Sequence, residues 1–146
     1  MAYTNLLTNA FRPRGAAARW NSEGTVMVYT AEHPALAALE ILNGWEVYAK
    51  LSEYFLYRYT FAAESALEAP AELDVRNREA TRAYGDAWAG GRESVALKVS
   101  SLAVPDACNY LLNPNHPDFS ARVTLELLGP FAFDARVEKL VREAKG

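Results

Sequence analysis

Glu40 is the acidic residue whose surroundings point most directly to chemistry. It lies within Ala35-Leu-Ala-Ala-Leu-Glu-Ile-Leu42, an apolar segment with helical spacing. A carboxylate in such a setting needs a cationic or hydrogen-bonding partner, or serves a reaction that uses a negative charge in a dry pocket. The pattern also allows a second interpretation, in which Glu40 reaches solvent beside Asn43 and Gly44.

Arg19 is the cation that would complement this acid. It lies in Ala17-Ala-Arg-Trp-Asn21, where small residues would let a ligand approach its planar set of donors, although most arginines in loops are simply solvated. The eight glycines of the chain form neither a G-x-G-x-x-G fingerprint nor a P-loop. Side chains would therefore have to hold the phosphates of any bound nucleotide.

Composition excludes several other classes of function. The 146 residues carry 15 basic and 18 acidic side chains, a net charge of −3, so direct nucleic-acid binding is not expected. Two distant histidines and one cysteine do not make a metal site. There is no G-x-S-x-G elbow, and the pair Cys108 and His116 has no third group to orient it, so a buried structural cysteine is favoured over a thiolate nucleophile.

The chain has the length and composition of one soluble domain, residues 1–146. No apolar run approaches the length of a membrane span, and the first ten residues do not read as a signal peptide, so we expect a cytoplasmic protein without a membrane partner.

Strands and helices are predicted in an order that does not alternate strictly. The predicted strands are Thr25–Thr30, Tyr54–Ala62, Ser94–Ser101 and Ala121–Leu128. Helices are predicted from Pro34 to about Ser52, over Arg76–Trp88 and after Asp134, with a surface connection over Ala63–Asp74 and a proline-rich loop from Pro105 to Pro117. This order favours an α+β domain.

Several blocks together resemble the RES-domain family, the toxin half of Xre-RES toxin–antitoxin pairs. Ala17-Ala-Arg-Trp-Asn-Ser-Glu-Gly-Thr-Val-Met-Val-Tyr29 resembles the family block G-G-R-W-N-S-x-G-T-x-x-V-Y, and Leu36-Ala-Ala-Leu-Glu40 resembles the helix that follows it. Four later blocks resemble the family's in the same order: Tyr84–Trp88, Ser94–Ser101, Asn109–Phe119 and Phe131–Asp134.

The resemblance assigns the family's arginine to Arg19, its tyrosine to Tyr29, its glutamate to Glu40 and its serine to Ser101. The chain departs from the family in having Ala17 and Ala18 in place of paired glycines and Ser100 in place of a proline. Its first residues, Met1-Ala-Tyr-Thr-Asn-Leu6, offer no equivalent of the Tyr-Arg pair in the family's first strand. We therefore expect the domain to lack an edge strand and a phosphate ligand.

The resemblance implies a sheet flanked by helices, mixed or antiparallel as in ADP-ribosyltransferases, and cleavage of the nicotinamide–ribose bond of NAD, which is the substrate and not a resident cofactor. It implies Glu40, Arg19 and Ser101 as catalytic residues. The residues implied for NAD binding are Arg19, Tyr29, Ser101, Asn113 and His116. Asn-Pro and His-Pro turns explain the last two equally well.

The resemblance also implies a cognate Xre-type helix-turn-helix antitoxin. A homodimer and a hetero-oligomer with the antitoxin both stay open as the assembly. Two other functions stay open: ADP-ribosyl transfer to a protein target, and a binding module that has lost catalysis. The enzymatic interpretations require that Glu40 and Arg19 face the same hollow.

Overall fold

Seven strands form one sheet in the part of the chain that the computed structural model describes, residues 1–8, 15–45, 51 and 53–145. The strands are β1 (Ala2–Thr8), β2 (Val28–Ala31), β3 (Tyr54–Phe61), β4 (Ala66–Glu68), β5 (Ala96–Ser100), β6 (Cys108–Leu112) and β7 (Thr124–Phe131). Their order is β4-β5-β6-β2-β1-β3-β7. The β4–β5 pair is parallel and the other pairs are antiparallel, so the sheet is mixed.

Four α-helices accompany the sheet in the same described residues: α1 (Pro34–Glu40), α2 (Arg78–Gly91), α3 (Phe119–Arg122) and α4 (Ala135–Lys145). A 3₁₀ turn covers Ala63–Ser65 and a π-helical turn covers Ile41–Trp45. Asn77 caps α2 by accepting a hydrogen bond from the Ala80 amide. The predicted α+β class is confirmed. None of these helices has the length and apolar character that crossing a membrane requires.

Helices α1 and α2 pack on the same face of the sheet. Tyr29 and Ala31 are two residues apart on β2, so their side chains point to one face. Ala31 belongs to the apolar cluster that contains the α1 residues Leu36 and Ala37, whereas Tyr29 packs against the cluster that contains Trp88 of α2. The two helices thus cover neighbouring halves of one face, and a pocket lies where the halves meet.

The expected absence of a first strand is wrong. β1 pairs with β3 along its whole length, from Ala2 opposite Phe61 to Thr8 opposite Phe55, and it lies inside the sheet between β2 and β3. Both faces of β1 are largely buried, so polar residues such as Thr4 lie inside and the sequence shows no clean alternation. The Thr4 hydroxyl donates to the Thr30 hydroxyl across the β1–β2 pair, and the Thr30 hydroxyl donates to the Tyr110 carbonyl. β1 contains no arginine, as the sequence already shows.

The helix expected to run to about Ser52 is also different in the structure. The α-helix ends at Glu40, and the π-helical turn follows at once. Residues 46–50 and 52 lie outside the described part of the chain. Leu39, which belongs to the apolar segment around Glu40, is 47% exposed.

Three further segments differ from the sequence prediction. The proline-rich region contains β6, the connection after β3 contains β4, and Ala121–Arg122 ends α3 before β7 begins at Thr124. Short strands and single helical turns are the elements that local patterns predict least well, because pairing partners far along the chain decide them.

Candidate active site

A pocket of about 230 Å³ opens between the end of α1, the loop that carries Arg19 and the start of α2. Its floor is formed by β2, β5 and β6. The residues that line it are Ala17, Ala18, Arg19, Trp20, Tyr29, Glu40, Asn43, Arg78, Val99, Ser100, Leu102, Asn109 and Leu111. Three residues singled out from the sequence, Arg19, Tyr29 and Glu40, therefore meet at one pocket.

Glu40 lies on the buried side of α1. Leu36, Ala37 and Glu40 are its buried residues, and their spacing places all three on one side of the helix. The Glu40 side chain is 2% exposed, so of the two interpretations of this residue the structure shows burial with polar partners. The π-helical turn that begins at Ile41 breaks the regular helix immediately after it, a geometry that is frequent at functional sites.

Two side chains hold the Glu40 carboxylate through the same oxygen. The Ser101 hydroxyl donates to Oε2 at 3.1 Å, and the Asn109 amide nitrogen donates to Oε2 as well. Ser101 Oγ also accepts the backbone N–H groups of Ala103 at 3.0 Å and Val104 at 3.2 Å. Because those N–H groups occupy its lone pairs, the hydroxyl proton of Ser101 is directed at Glu40.

No described donor reaches the other carboxylate oxygen, Oε1. The carboxylate is thus fixed on one side, and its second oxygen is available to a ligand in the pocket.

Helix α2 fixes the loop that carries Arg19. Thr81 Oγ1 donates to the Arg19 carbonyl at 2.5 Å, and Arg82 Nε donates to the Ala18 carbonyl at 2.6 Å. The Arg19 side chain itself donates through one terminal nitrogen to the Val75 carbonyl at 3.2 Å. Backbone and side chain of Arg19 are therefore both anchored, and the guanidinium keeps further donors for the pocket.

Tyr29 connects the sheet to the same loop. Its hydroxyl donates to Asn21 Oδ1 at 2.6 Å and accepts the Trp20 N–H at 3.0 Å. The fully buried Asn21 then donates to the carbonyls of Ala16 at 2.9 Å and Thr25 at 3.0 Å. Burial raises the pKa of Tyr29 to about 12, so the phenol stays neutral at physiological pH. The tyrosine has a structural role in shaping the pocket wall.

Two arginines of the described part of the chain bring positive charge to the pocket. Arg78, the first residue of α2, is exposed and lines the pocket together with Arg19. Burial lowers the pKa of Arg19, the positive charge of Arg78 lowers it further, and the negative charge of Glu40 acts in the opposite direction. The guanidinium groups nevertheless stay charged, since an arginine is effectively never deprotonated in a protein. Among the described residues, two cations and one anion thus share this space.

Arg78 and Asn109 were not selected from the sequence. Asn109 begins the block Asn109–Phe119, and on β6 it lies two residues before the pocket residue Leu111, so strand alternation placed it on the same face. Arg78 carries no comparable signal, because nothing in the local sequence separates it from Arg76 or Arg82.

The structure does not bring Asn113 and His116 to this pocket. Asn113 is buried, donates to the Ala89 carbonyl at 3.0 Å and accepts the Asn115 N–H at 3.1 Å. His116 Nδ1 accepts the Asp118 N–H at 3.0 Å, and this histidine lines a separate cavity beside Arg122. Both side chains fix the turn after β6, which is the role that Asn-Pro and His-Pro turns suggest.

Two further observations concern thiol and metal chemistry. Burial raises the pKa of the Cys108 thiol, which disfavours a reactive thiolate. Across residues 1–8, 15–45, 51 and 53–145, no three His, Cys, Asp or Glu side chains cluster in a way that would hold a metal ion.

Relatives of this chain carry informative names. It is 31% identical over 126 residues to a protein of Yersinia enterocolitica named Toxin Res, covering 82% of this chain and 83% of the relative. It is 30% identical over 136 residues to a Toxin Res of Pseudomonas putida, covering 88% and 92%. A protein of a Sphingobium strain, named Prs ADP-ribosylating toxin, is 31% identical over 110 residues, covering 68% of each chain.

The sequence model of the RES domain family matches residues 2–134 of this chain. That range includes the strand β1 and all the pocket residues named above. Together with the relatives, this match shows that the chain belongs to the RES domain family.

Proposed function

We propose that this protein is a toxin that cleaves the bond between nicotinamide and ribose in NAD and so depletes the cell of NAD. The observation that carries the proposal is the buried carboxylate of Glu40, fixed through Oε2 by Ser101 and Asn109 in a pocket that also holds Arg19. The names of the Toxin Res relatives support the toxic role.

The proposed reaction uses the negative charge of Glu40. As the bond from C1′ to the nicotinamide nitrogen breaks, its electron pair leaves with nicotinamide and positive charge develops on the ribose. A carboxylate in a water-poor pocket stabilises that charge more in the transition state than in the substrate. Water or phosphate then forms the new bond at C1′, and the nucleophile's proton passes to a base or to solvent. The products are nicotinamide and ADP-ribose or its phosphorylated form.

Arg19 and Arg78 would bind the pyrophosphate. Both guanidinium groups line the pocket, and a planar set of donors suits phosphate oxygens. Two positive charges would balance the two negative charges of the pyrophosphate. This arrangement supplies by side chains the contacts that a glycine-rich loop supplies in other nucleotide sites.

The space near the pocket is compatible with a dinucleotide. The pocket of about 230 Å³ adjoins a second cavity of about 460 Å³, and Val99 and Ser100 line both. The combined volume of the two cavities lies within the range of roughly 300–1,000 Å³ that is usual for small-molecule sites. We propose that one half of NAD occupies the pocket and that the other extends toward this cavity.

The test is nicotinamide release from NAD by the purified protein, with and without phosphate, followed by chromatography. We expect turnover that Glu40→Gln and Arg19→Ala abolish. Glu143→Gln and Arg142→Ala, at exposed sites on α4, are the matched controls and should retain it. Absence of release by the wild-type protein under both conditions would contradict the proposal.

ADP-ribosyl transfer to a protein is the second candidate, favoured by the name of the Sphingobium relative. The same pocket serves it if a protein side chain replaces water as the nucleophile. Label from adenine-labelled NAD would then stay on a macromolecule, whereas hydrolysis or phosphorolysis yields a free labelled product. A binding module that has lost catalysis is the third alternative. A missing first strand would favour it, but the first strand, β1, is present and pairs with β3.

The proposed partner is an antitoxin of the Xre helix-turn-helix type, which would neutralise the toxin in the cytoplasm where NAD is consumed. Co-expression with the product of the neighbouring gene should relieve growth arrest caused by this protein. Growth arrest that the Glu40→Gln variant also causes would argue that toxicity does not depend on the reaction.

A further inference from the structure

The two polar atoms of the Asn109 side chain are in opposite situations. Asn109 is 5% exposed on β6 and lines the pocket beside Glu40. Its amide nitrogen donates to Glu40 Oε2, but its amide oxygen Oδ1 is buried and has no hydrogen-bond partner in the described part of the chain. Leaving a buried acceptor unpaired costs free energy, so this oxygen requires an explanation.

The orientation of the amide follows from the chemistry of its neighbour. A carboxylate oxygen only accepts, so the amide must present its nitrogen to Glu40 and direct its oxygen elsewhere. The reverse orientation would place two acceptors against each other. The unpaired Oδ1 is therefore a consequence of the contact with Glu40.

We propose that Asn109 has two functions in the reaction: its nitrogen positions the Glu40 carboxylate, and its oxygen accepts a hydrogen bond from a hydroxyl group of the ribose whose bond is cleaved. This inference rests on the proposed function. Nδ2 and Oδ1 are bonded to the same carbon, so a donor bound by Oδ1 lies next to the carboxylate that acts at C1′. The ribose hydroxyls are the substrate donors closest to C1′.

Substrate recognition follows from this arrangement. A buried acceptor that is satisfied only by the substrate rejects an analogue that lacks the matching hydroxyl, because the oxygen then stays unpaired. The other groups of the pocket act on different parts of NAD in the proposed function, Arg19 and Arg78 on phosphates and Glu40 on the reacting carbon.

The first measurement compares NAD with analogues that lack the 2′ or the 3′ hydroxyl of the nicotinamide-bearing ribose. In the wild-type protein and in Asn109→Leu, kcat/KM is measured for all three substrates. We expect Asn109→Leu to lower kcat/KM for NAD at least about tenfold more than for one of the deoxy analogues. Asn115→Leu, an exposed site in the turn after β6, is the control and should change none of the ratios.

The second measurement tests the positioning role by charge. Asn109→Asp removes the donor to Glu40 and sets two carboxyl groups side by side, which raises the pKa at which the pair ionises. In the residues that the structure describes, the charged and titratable side chains that line the pocket with this pair are Arg19 from the loop, Arg78 from α2 and Tyr29 from β2. Asn109→Asp and its control Asn115→Asp keep all three. We expect the acid limb of the kcat profile to move up by about one pH unit or more in Asn109→Asp and to stay in place in Asn115→Asp.

The outcomes separate this inference from the proposed function. If the wild-type protein cleaves NAD, but folded Asn109→Leu loses activity equally on all three substrates and Asn109→Asp keeps the wild-type acid limb, the inference alone is overturned. If the wild-type protein releases no nicotinamide, the proposed function fails and the inference fails with it. Circular dichroism identifies variants that do not fold, and Asn109→Ser replaces Asn109→Leu in the comparison of substrates if that variant does not fold.

Discussion

Gly85 of α2 lies directly against the carbonyl oxygen of Trp20: a Cβ at position 85 would be 1.7 Å from that oxygen. Trp20 follows Arg19 in the segment of residues 17–21, which we call the arginine loop. The backbones of α2 and of the arginine loop are therefore in direct contact at the pocket wall. A side chain of any size would separate them. The hydrogen bonds from Thr81 and Arg82 to the loop depend on this close approach.

Gly85→Ala should therefore displace the arginine loop. Neither backbone can yield easily, and overpacking of this kind typically costs about 1–3 kcal/mol in the free energy of unfolding. We expect a loss in or above that range together with a loss of nicotinamide release. Urea denaturation and the release assay measure the two effects.

Gly90→Ala is the matched control on the same helix. A Cβ at Gly90 meets nothing within 4 Å, so alanine should stabilise α2 by about 0.5–1 kcal/mol through its higher helix propensity. Equal effects of the two substitutions would contradict the close packing of helix and loop.

Ser101→Ala should weaken both the fold and the site. The substitution removes a donor to Glu40 and leaves the N–H groups of Ala103 and Val104 without their acceptor. We expect a loss of about 1–3 kcal/mol in the free energy of unfolding. We also expect Ser101→Ala to lower kcat about tenfold, which corresponds to a loss of about 1.4 kcal/mol of transition-state stabilisation. Ser120→Ala, at an exposed site on α3, is the control and should leave the free energy of unfolding and kcat unchanged. If Ser101→Ala keeps the wild-type kcat, Ser101 does not position Glu40 for the reaction.

The sequence predicts the character of the Glu40 site better than its contacts. Apolar neighbours on a helix indicate that a buried carboxylate needs polar partners, and the structure shows such partners. Ser101 is 61 residues away and Asn109 is 69 residues away in the chain. Their meeting with Glu40 depends on the register of β5 against β6 and on the position of α1, which no local pattern contains.

The same reason explains the missed strands. β1 has buried polar residues on both faces, so it lacks the alternation that identifies a half-exposed strand. β6 has five residues and lies among prolines that suggest a loop. Each is held in place by two neighbouring strands from distant parts of the chain. Longer strands with aromatic residues, such as β3, are predicted almost to the residue because their own composition is sufficient.

Tyr29→Phe should destabilise the arginine loop, because it removes the hydroxyl that bonds to the loop and keeps the aromatic ring. The Trp20 N–H and Asn21 Oδ1 lose their partner, at a cost of about 1–3 kcal/mol in the free energy of unfolding. We expect KM for NAD to rise as Arg19 loses its fixed position. An unchanged KM and an unchanged stability would show that the hydroxyl is dispensable.

The stability difference between wild type and Tyr29→Phe should also depend on alkaline pH. The pKa of Tyr29 is raised from 10.0 to about 12 in the folded state by burial, so the unfolded state loses its proton first. The stabilisation from Tyr29 is then complete below about pH 10 and is lost as the pH rises toward 12. Urea denaturation between pH 8 and 11.5 should show the difference narrowing by at most about 1.4 kcal/mol per pH unit. Tyr59, whose pKa is also raised to about 12 by burial, is present in both proteins and cancels.

Asp86 should make the opposite contribution at acid pH. Burial alone raises its pKa, but hydrogen bonds from the Ser22 hydroxyl and N–H, with further help from Thr25 and Arg82, lower it below the ordinary value of 3.8. As the pH falls, the Asp86 carboxylate therefore stays ionised to a lower pH in the folded state than in the unfolded state. The resulting stabilisation is present above about pH 4 and is lost as the pH falls below 3.8 and through the folded pKa.

Asp86→Asn tests this contribution by comparison with the wild-type protein. The N–H of Ser22 donates to one carboxylate oxygen at 2.9 Å and its hydroxyl donates to the other. Asparagine can accept only one of these bonds, so we expect a loss of about 1 kcal/mol at pH 7, limited by solvent screening at this partly exposed site. The difference should stay constant from pH 7 to pH 5 and shrink below about pH 4. A difference that grows as the pH falls would have the wrong sign for a carboxylate with a lowered pKa, and would show that Asp86 does not anchor the loop that carries Arg19.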